Sequence, residues 1–266
     1  MYSFDYHRSE SVRDALTLFS SADEAQWLAG GMTLLPAMKL RLTAPGVLID
    51  LAGIDELNGI RCVNDDLVIG AMTVHREVAE SAEVRTAIPA LAALAGGIGD
   101  VQVRNRGTLG GSISNNDPAA DYPAAILGLN ATITTTRREI AADEFFPGFF
   151  ETALAPDEII HHVSFPRPEL AGYVKFPNPA SRYAIVGVMV TKCGDEVRVA
   201  VTGAGPCVFR ASELEQALAV DFSPRALKNT GFSSEHLNDD LHASAEYRAH
   251  LLTVMARRAI EAALDR

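Results

Sequence analysis

Two segments, Ala29-Gly30-Gly31-Met32-Thr33 and Thr108-Leu109-Gly110-Gly111-Ser112, decide the fold of this chain. Each joins a pair of glycines to a hydroxyl residue one or two places further on. Because glycine has no Cβ and tolerates positive φ, successive backbone N–H groups can converge on an anion. A single Gly-Gly pair is more often an ordinary turn. Two pairs with similar neighbours predict a two-sided cradle for the pyrophosphate of a bound dinucleotide, with two plain turns as the alternative.

The composition restricts the classes of partner. The chain has 266 residues, of which 48% are hydrophobic and 21% charged, and its formal net charge is -11. These values indicate a globular protein of one or two domains. No Lys/Arg-rich run offsets the acidic balance, which argues against nucleic acid and anionic membrane as partners. The apolar stretches are too short to span a membrane and residues 1–20 contain no signal-peptide core, so a cytoplasmic protein is expected.

The usual catalytic and metal-binding motifs are missing. Cys62, Cys193 and Cys207 are isolated, so they form neither a disulfide framework nor a zinc or iron–sulfur motif. The glycines of residues 96–99 fail the G-x-G-x-x-G spacing, and there is no P-loop. The histidines form no metal set, and no Ser or Cys stands in a nucleophile elbow. None of these motifs therefore supplies a catalytic residue or a metal ligand in this chain.

Hydrophobic periodicity predicts an α+β chain in two parts. Helices are predicted over residues 12–19, 34–42, 88–97, 117–127 and 247–264, and strands over 25–28, 47–50, 67–69, 131–136, 183–192 and 197–203. Gly194-Asp195 predicts a hairpin between the last two strands, and residues 212–266 are predicted to be mostly helical. Pro166, Pro168 and Gly172 interrupt the pattern. This break predicts a nucleotide-binding domain over residues 1–168 and a smaller sheet-plus-helix domain over residues 169–266.

Further candidate residues surround the second glycine pair. Asp117 is predicted as a helix N-cap with Pro118 at the first helical position, which would place Asp121 on the same helical face. Two carboxylates so placed could hold a metal or contact ribose and adenine groups. The alternative is that Asp117 only caps the helix while Asp121 faces solvent. Arg104 and Arg106 either neutralise phosphate or are surface charges.

Four segments, in a fixed order, give the chain a specific resemblance. They are AGGMTLLPAMK (29–39), IGAMT (69–73), RNRGTLGGS (104–112) and NDPAAD (116–121), and SRYA (181–184) follows them. Over nearly its whole length the chain resembles the FAD-binding medium subunit of the molybdenum hydroxylases, the family of carbon monoxide dehydrogenase and xanthine dehydrogenase.

This resemblance implies a fold and a set of cofactor-binding residues. The fold is α+β, with a two-part FAD-binding domain of the vanillyl-alcohol oxidase type (residues 1–55 and 56–168) and a C-terminal small antiparallel sheet with helices (169–266). The pyrophosphate is expected between the two glycine pairs, Asp117 and Asp121 near the nucleotide half, and Tyr183 beside the isoalloxazine ring. The implied cofactor-binding residues are Ala29, Gly30, Gly31, Met32, Thr33, Leu34, Thr73, Thr108, Gly110, Gly111, Ser112, Asp117, Asp121 and Tyr183.

The resemblance also implies a role in electron transfer. In this family a large subunit with the molybdenum cofactor passes electrons to a small subunit with [2Fe–2S] clusters. The medium subunit takes the electrons from the small subunit and passes them through FAD to an external acceptor. The expected assembly is a dimer of heterotrimers, and the lack of a cysteine cluster in this chain fits such a division. Two alternatives stay open. One is a stand-alone flavin-dependent oxidoreductase, which needs an acid or base above the ring, and the other is a non-enzymatic nucleotide-binding or scaffold protein.

Overall fold

The computed structural model describes residues 1–228 and 230–265. Its strands are β1 (Asp5–Arg8), β2 (Ala25–Leu28), β3 (Val47–Asp50), β4 (Ile60–Val63), β5 (Asp66–Gly70), β6 (Thr132–Thr135), β7 (Glu139–Ala141), β8 (Ile160–Pro166), β9 (Leu170–Pro177), β10 (Ala184–Cys193), β11 (Glu196–Thr202) and β12 (Phe209–Arg210). Its helices are α1 (Val12–Ser21), α2 (Leu34–Lys39), α3 (His75–Glu80), α4 (Ala82–Ala87), α5 (Pro89–Gly96), α6 (Val101–Arg104), α7 (Leu109–Asn115), α8 (Tyr122–Gly128), α9 (Ala142–Phe145), α10 (Ser212–Val220) and α11 (Ala245–Leu264). None of the helices in these described ranges has the length and apolar character needed to cross a bilayer.

The first sheet is small and parallel, with the order β1-β3-β2. Helix α1 covers it, and the Ser11 hydroxyl caps that helix by accepting a hydrogen bond from the Asp14 N–H. Ala15 on the helix and Ile49 on β3 are fully buried between the two layers. The predictions of α1, β2 and β3 are confirmed. Because β2 ends at Leu28, the chain leaves this sheet directly into the first glycine segment.

The second sheet is five-stranded and antiparallel, with the order β4-β5-β8-β6-β7. Helices α3 to α9 pack around it, and the shared core includes Leu67, Ile133, Phe145 and Phe165, all of which are fully buried. The predicted strands over 67–69 and 131–136 and the predicted helix over 88–97 are confirmed as β5, β6 and α5. The first glycine segment leaves the first sheet after β2, and the second contains the start of α7, which belongs to this unit.

The third sheet is four-stranded and antiparallel, with the order β12-β11-β10-β9. The predicted hairpin is confirmed, since β10 and β11 pair around Gly194, whose φ is +57°. Helix α11 packs on one face of the sheet, and Gly172 permits this contact because a Cβ there would lie 1.9 Å from the Ala259 carbonyl oxygen. On the other face, Thr191 donates to the Gly128 carbonyl of α8 at 2.6 Å. The third sheet is thereby held against the second unit.

Three sequence-based expectations differ from the structure. The helix predicted over 117–127 begins only at Tyr122, because the Asp117 carboxylate accepts from the Ala119 N–H and stabilises a turn instead. The second glycine segment is no turn: it forms the first residues of α7, because the Thr108 hydroxyl caps that helix. The C-terminal part is less helical than predicted, since the described residues of 221–244 form turns and irregular structure between α10 and α11.

Candidate functional site

A cavity of about 740 Å³ opens where the two glycine segments meet the third sheet. Cavities of this size hold small molecules and cofactors in most proteins that bind them. Its walls include residues from both glycine segments and from the ranges 71–75, 98–107, 114–121, 152–160 and 181–183. The cavity is therefore built by parts of the sequence that are distant from one another.

The first glycine segment presents a row of free backbone donors. Within the described chain, the N–H groups of Gly30, Gly31, Met32 and Thr33 donate to no protein acceptor. Gly31 adopts φ +72°, a conformation that L side chains rarely adopt. A Cβ on Gly30 would lie 2.0 Å from the carbonyl oxygen of Arg106. Only glycine therefore fits there, and successive free N–H groups of this kind suit a phosphate group.

The second glycine segment contributes differently from the expectation. The Leu109 N–H donates to the Thr73 carbonyl at 3.1 Å, and the Gly110 N–H donates to the Ala71 carbonyl at 2.8 Å. The Gly111 N–H donates to the Thr108 hydroxyl at 3.1 Å. The expectation that both segments aim free N–H groups at an anion is therefore wrong for this segment, because tertiary contacts and the helix cap already use its donors. What it offers the cavity are the hydroxyls of Thr108 and Ser112.

The structure brings all but one of the sequence-predicted site residues to the cavity. The residues that line it are Ala29, Gly30, Gly31, Met32, Thr33, Leu34, Thr108, Gly110, Gly111, Ser112, Asp117, Asp121 and Tyr183. The exception is Thr73, which is fully buried and does not reach the wall. Its hydroxyl accepts from the Gly59 N–H at 3.1 Å and donates to the Gly59 carbonyl at 3.2 Å. Thr73 therefore fastens two backbone segments together behind the cavity.

The two aspartates do not share a helical face, because Asp117 precedes α8. Asp121 is 4% exposed, and its Oδ1 accepts from the Tyr173 hydroxyl at 2.5 Å. The Lys175 ammonium lies 2.9 Å from the same oxygen and 3.0 Å from Oδ2. Burial raises the pKa of Asp121, while Lys175 and Tyr173 oppose that rise. The carboxylate of Asp121 is therefore engaged with β9.

Asp117 and Tyr183 remain on the open side of the cavity. Burial raises the pKa of Asp117, and an Asx turn to the Ala119 N–H opposes this. The Tyr183 side chain is 42% exposed, and burial together with the nearby Asp117 charge raises the pKa of its hydroxyl. No group of three His, Cys, Asp or Glu residues in the described ranges has the geometry of a metal site. Tyr173 and Lys175 already occupy the Asp121 carboxylate, which argues against a metal shared by the two aspartates.

Sequence reasoning missed several wall residues and gave Arg104 and Arg106 an open role. Arg104 Nη1 donates to the carbonyls of Ile98 and Gly99, each at 3.0 Å, so it holds a wall loop. Arg106 does not line the cavity. Arg182, with φ +65°, does line it and donates to the Gly99 carbonyl at 3.2 Å. The missed residues include Trp27, His75, Ile98, Gly99, Val103, Glu158 and Arg182. No local pattern marks them, because they reach the cavity only through packing of the three sheets.

His75 is the buried titratable group among these missed residues. It is 4% exposed, and burial, with a smaller effect from the Arg104 charge, lowers the pKa of its imidazole to about 4. Glu158 is also buried. Its pKa is about 2: burial opposes the low value, but hydrogen bonds from Arg138, the Ala155 N–H and Thr135 outweigh it. At neutral pH the cavity wall therefore contains a neutral imidazole and a carboxylate that is already fully bonded.

Matches to known proteins extend over the regions of the chain that form the cavity. The family model for the FAD binding domain in molybdopterin dehydrogenase matches residues 2–168. The chain is 36% identical to the nicotine 6-hydroxylase medium subunit of Paenarthrobacter nicotinovorans, over 96% of this chain and 95% of that protein. It is 34% identical to the carbon monoxide dehydrogenase medium chain of Hydrogenophaga pseudoflava, over 99% and 98%. A solved structure of carbon monoxide dehydrogenase from Hydrogenophaga pseudoflava superposes with a TM-score of 0.88 at 35% identity, covering 98% of this chain and 97% of that one. The similarity therefore includes both glycine segments and the third sheet.

Proposed function

The chain belongs to the family of FAD-binding domains of molybdopterin dehydrogenases, and we propose that the cavity described above is where it holds FAD. The chain is an FAD-carrying electron-transfer subunit of a molybdenum hydroxylase. One observation carries the assignment of the cavity. A row of unpartnered N–H groups at residues 30–33 begins at Gly30, which no other residue can replace without a backbone clash.

We propose that the first glycine segment binds the pyrophosphate. Its free N–H groups supply neutral donors, so an acidic chain can bind a doubly charged group without a cluster of lysines. Thr33, Thr108 and Ser112 line the same cavity, and we propose that their hydroxyls add further donors. Asp117 lies at the open side, where a carboxylate can accept from ribose or adenine. Asp121 is tied to Lys175 and Tyr173, so its contribution is to fix the wall rather than to bind the nucleotide.

When bound, FAD supplies the redox chemistry through its isoalloxazine ring. The chain's own residues bind and orient the cofactor and limit the access of water. Tyr183 projects from the start of β10 at the cavity rim, and we propose that it covers the ring. Part of its exposed 42% would then be buried by the cofactor.

Two of the carboxylates in the described wall are already engaged, whereas Asp117 and Tyr183 stay on its open side. Among the described lining residues, Asp121 and Glu158 already accept several hydrogen bonds, and His75 is neutral and buried. Proton transfer to a substrate needs a group that can reach it and exchange its proton. We propose electron transfer rather than a stand-alone flavin-dependent oxidoreductase because the relatives that match this chain over nearly its whole length are subunits of larger enzymes.

Homologues of this chain are medium subunits of multi-subunit enzymes, which implies small and large partner subunits. In complexes of the carbon monoxide dehydrogenase type those partners carry the 2Fe–2S clusters and the molybdenum cofactor. We propose a dimer of heterotrimers in the cytoplasm. The similarity to medium subunits over nearly the whole chain supports the assembly with partner chains.

Tryptophan fluorescence tests the assignment of the cavity. Trp27 is the chain's single tryptophan and lines the cavity, so bound FAD is expected to quench its emission. The full chain, freed of cofactor, is titrated with FAD, and the same titration with FMN, which lacks the pyrophosphate, is the control. Saturable quenching by FAD at a lower concentration than by FMN supports the proposal. Equal quenching by both, or none, contradicts it.

Co-purification tests the role in a complex. Expression with its genomic neighbours is expected to yield an assembly that contains iron–sulfur and molybdenum centres, in which substrate reduces the flavin. Isolation of this chain alone with substrate-dependent flavin reduction would instead support the stand-alone oxidoreductase. A preparation that takes up no flavin would support the scaffold alternative.

A further inference from the structure

The imidazole of His75 is a buried polar group at the point where the two glycine segments meet. His75 begins α3, and its N–H donates to the Gly107 carbonyl at 2.9 Å. A Cβ on Gly107 would lie 2.5 Å from His75 Nε2. A Cβ on Gly30 would lie 2.8 Å from the Gly107 α-carbon. The imidazole, Gly107 and the first glycine segment are therefore in direct succession along the cavity wall, which all three line.

The two ring nitrogens of His75 have different surroundings. Nδ1 is sealed from solvent and has no hydrogen-bond partner among the described residues. The ring packs against Tyr122 with a centroid distance of 5.3 Å, and the Tyr122 hydroxyl is likewise sealed and unpartnered. Nε2 bonds to no described residue either, but it is not sealed and lies against Gly107 at the cavity wall. Nε2 is therefore the nitrogen that a ligand in the cavity can reach.

The protonation state follows from these surroundings. The lowered pKa, about 4, makes the imidazole neutral at physiological pH, so one nitrogen carries a proton and the other a lone pair. An N–H group buried without an acceptor is rarer and costlier than an unused lone pair. The proton is therefore favoured at Nε2, where water or a ligand oxygen can accept it. His75 thus presents an uncharged N–H donor beside the free N–H groups of residues 30–33.

We propose that His75 is a nucleotide-binding residue whose Nε2–H donates to a pyrophosphate oxygen, alongside the N–H groups of the first glycine segment. The proposal rests on the FAD site proposed above and assigns it a side-chain donor that lies across Gly107 from the first glycine segment. The imidazole N–H also takes the place of the N–H groups that the second glycine segment was expected to supply, because those groups already donate to other acceptors. The pyrophosphate would then be bound by backbone N–H groups and by one side chain, with Gly107 between them.

Two substitutions separate hydrogen bonding from packing. His75→Leu keeps an apolar group of similar size but removes the donor, and His75→Gln can place an amide N–H near the Nε2 position. Because the bond is made to a charged oxygen, His75→Leu is expected to weaken FAD binding about tenfold or more, whereas His75→Gln recovers most of it. His250→Leu is the control, since His250 is exposed on α11 away from the cavity. Quenching of Trp27 emission measures each affinity.

A second pair of titrations locates the contact on the ligand. ADP carries the diphosphate and riboflavin does not, so His75→Leu is expected to weaken ADP binding and leave riboflavin binding unchanged. In the unsubstituted chain, ¹⁵N NMR of labelled histidine is expected to show a non-titrating, Nε2-protonated signal that shifts when ADP is added. This measurement holds even where His75→Leu fails to fold.

The outcomes distinguish this proposal from the FAD site itself. If the unsubstituted chain does not bind FAD, the proposed function fails and this inference with it. If the unsubstituted chain binds FAD and His75→Leu binds it equally well, only the role of His75 is overturned. Equal losses in the Leu and Gln variants, or an Nδ1-protonated signal that ADP does not move, also overturn it.

Discussion

Gly30→Ala is the smallest change that tests how the two glycine segments form the cradle. A Cβ at this position would lie 2.0 Å from the carbonyl oxygen of Arg106, 2.7 Å from its carbonyl carbon and 2.8 Å from the Gly107 α-carbon. All three atoms belong to the backbone, so no side-chain rotation relieves the contact. Ordinary contacts of a Cβ begin at 3.4 Å, and the two segments must therefore separate by about 1.4 Å.

The size of the effect follows from this displacement. A hydrogen bond at about 2.9 Å is lost when its atoms move apart by more than about 0.6 Å. Each hydrogen bond to a charged group is worth about 1.5–3 kcal/mol. Loss of one such bond to the pyrophosphate corresponds to an increase of about ten- to hundredfold in the Kd for FAD. Overpacking also lowers the free energy of unfolding of the cofactor-free chain by about 1–3 kcal/mol.

The assay is a titration of Trp27 emission with FAD, together with thermal unfolding of the cofactor-free chain. Gly231→Ala is the matched control, because a Cβ there meets no atom within 4 Å and its φ lies outside the left-handed region. Gly31→Val and Gly111→Val extend the series: Gly31 has φ +72°, and a Cβ on Gly111 would lie 2.8 Å from the Thr108 hydroxyl. Both are expected to weaken FAD binding severely. A Kd for Gly30→Ala within twofold of that of Gly231→Ala would refute the reasoning.

Three further substitutions test Tyr183 at the cavity entrance, Thr73 behind the cavity wall and the acid stability that Glu158 provides. Tyr183→Ala is expected to leave FAD bound but to alter the rate of flavin reduction or reoxidation in stopped-flow experiments, and unchanged rates would remove Tyr183 from the site. Thr73→Val removes both hydrogen bonds to Gly59 and should lower the free energy of unfolding by about 1–3 kcal/mol without changing the Kd for FAD; a weaker Kd at equal stability would return Thr73 to the site. The folded pKa of Glu158 is depressed from 4.5 to about 2, so the stability it contributes is present above about pH 4.5 and is lost as pH falls towards 2. Glu158→Gln should therefore remove about 3 kcal/mol of the loss in the free energy of unfolding that occurs in this pH window. The Tm of the variant should then depend less on pH below 4.5. An unchanged dependence would contradict the role of Glu158 in acid stability.

Much of the fold was predictable because local patterns encode it. Helix α1 follows from apolar spacing at Val12, Ala15 and Phe19 with a serine cap, and the hairpin of β10 and β11 follows from Gly194-Asp195 between alternating apolar runs. Local rules failed where two of them competed. At residues 117–121 an aspartate next to a proline suits both a helix start and a turn, and the turn forms.

The sequence predicted which glycine segments form the candidate site. It was less informative about which groups in them are free to bind a ligand. Gly30 and Gly31 were singled out for the reason that the structure supports, which is backbone approach and positive φ. Thr73 belonged to a quoted segment, but its side chain points to Gly59 rather than to the cavity. His75 carried no motif at all. A single histidine in a sequence gives no indication of burial, and burial is what makes this one neutral.

The sequence by itself determined that this chain has glycine-rich segments suited to a pyrophosphate, a C-terminal part of sheet and helix, and no cysteine cluster for a metal centre. Those properties depend on residue type and short-range spacing. Only the tertiary structure decided that Tyr173 and Lys175, 52 and 54 residues away, occupy the carboxylate of Asp121. It likewise decided that the Thr73 and Ala71 carbonyls consume the N–H groups of the second glycine segment. The physical reason is that each donor has few bonds to give, and which partner takes them depends on how the three sheets pack.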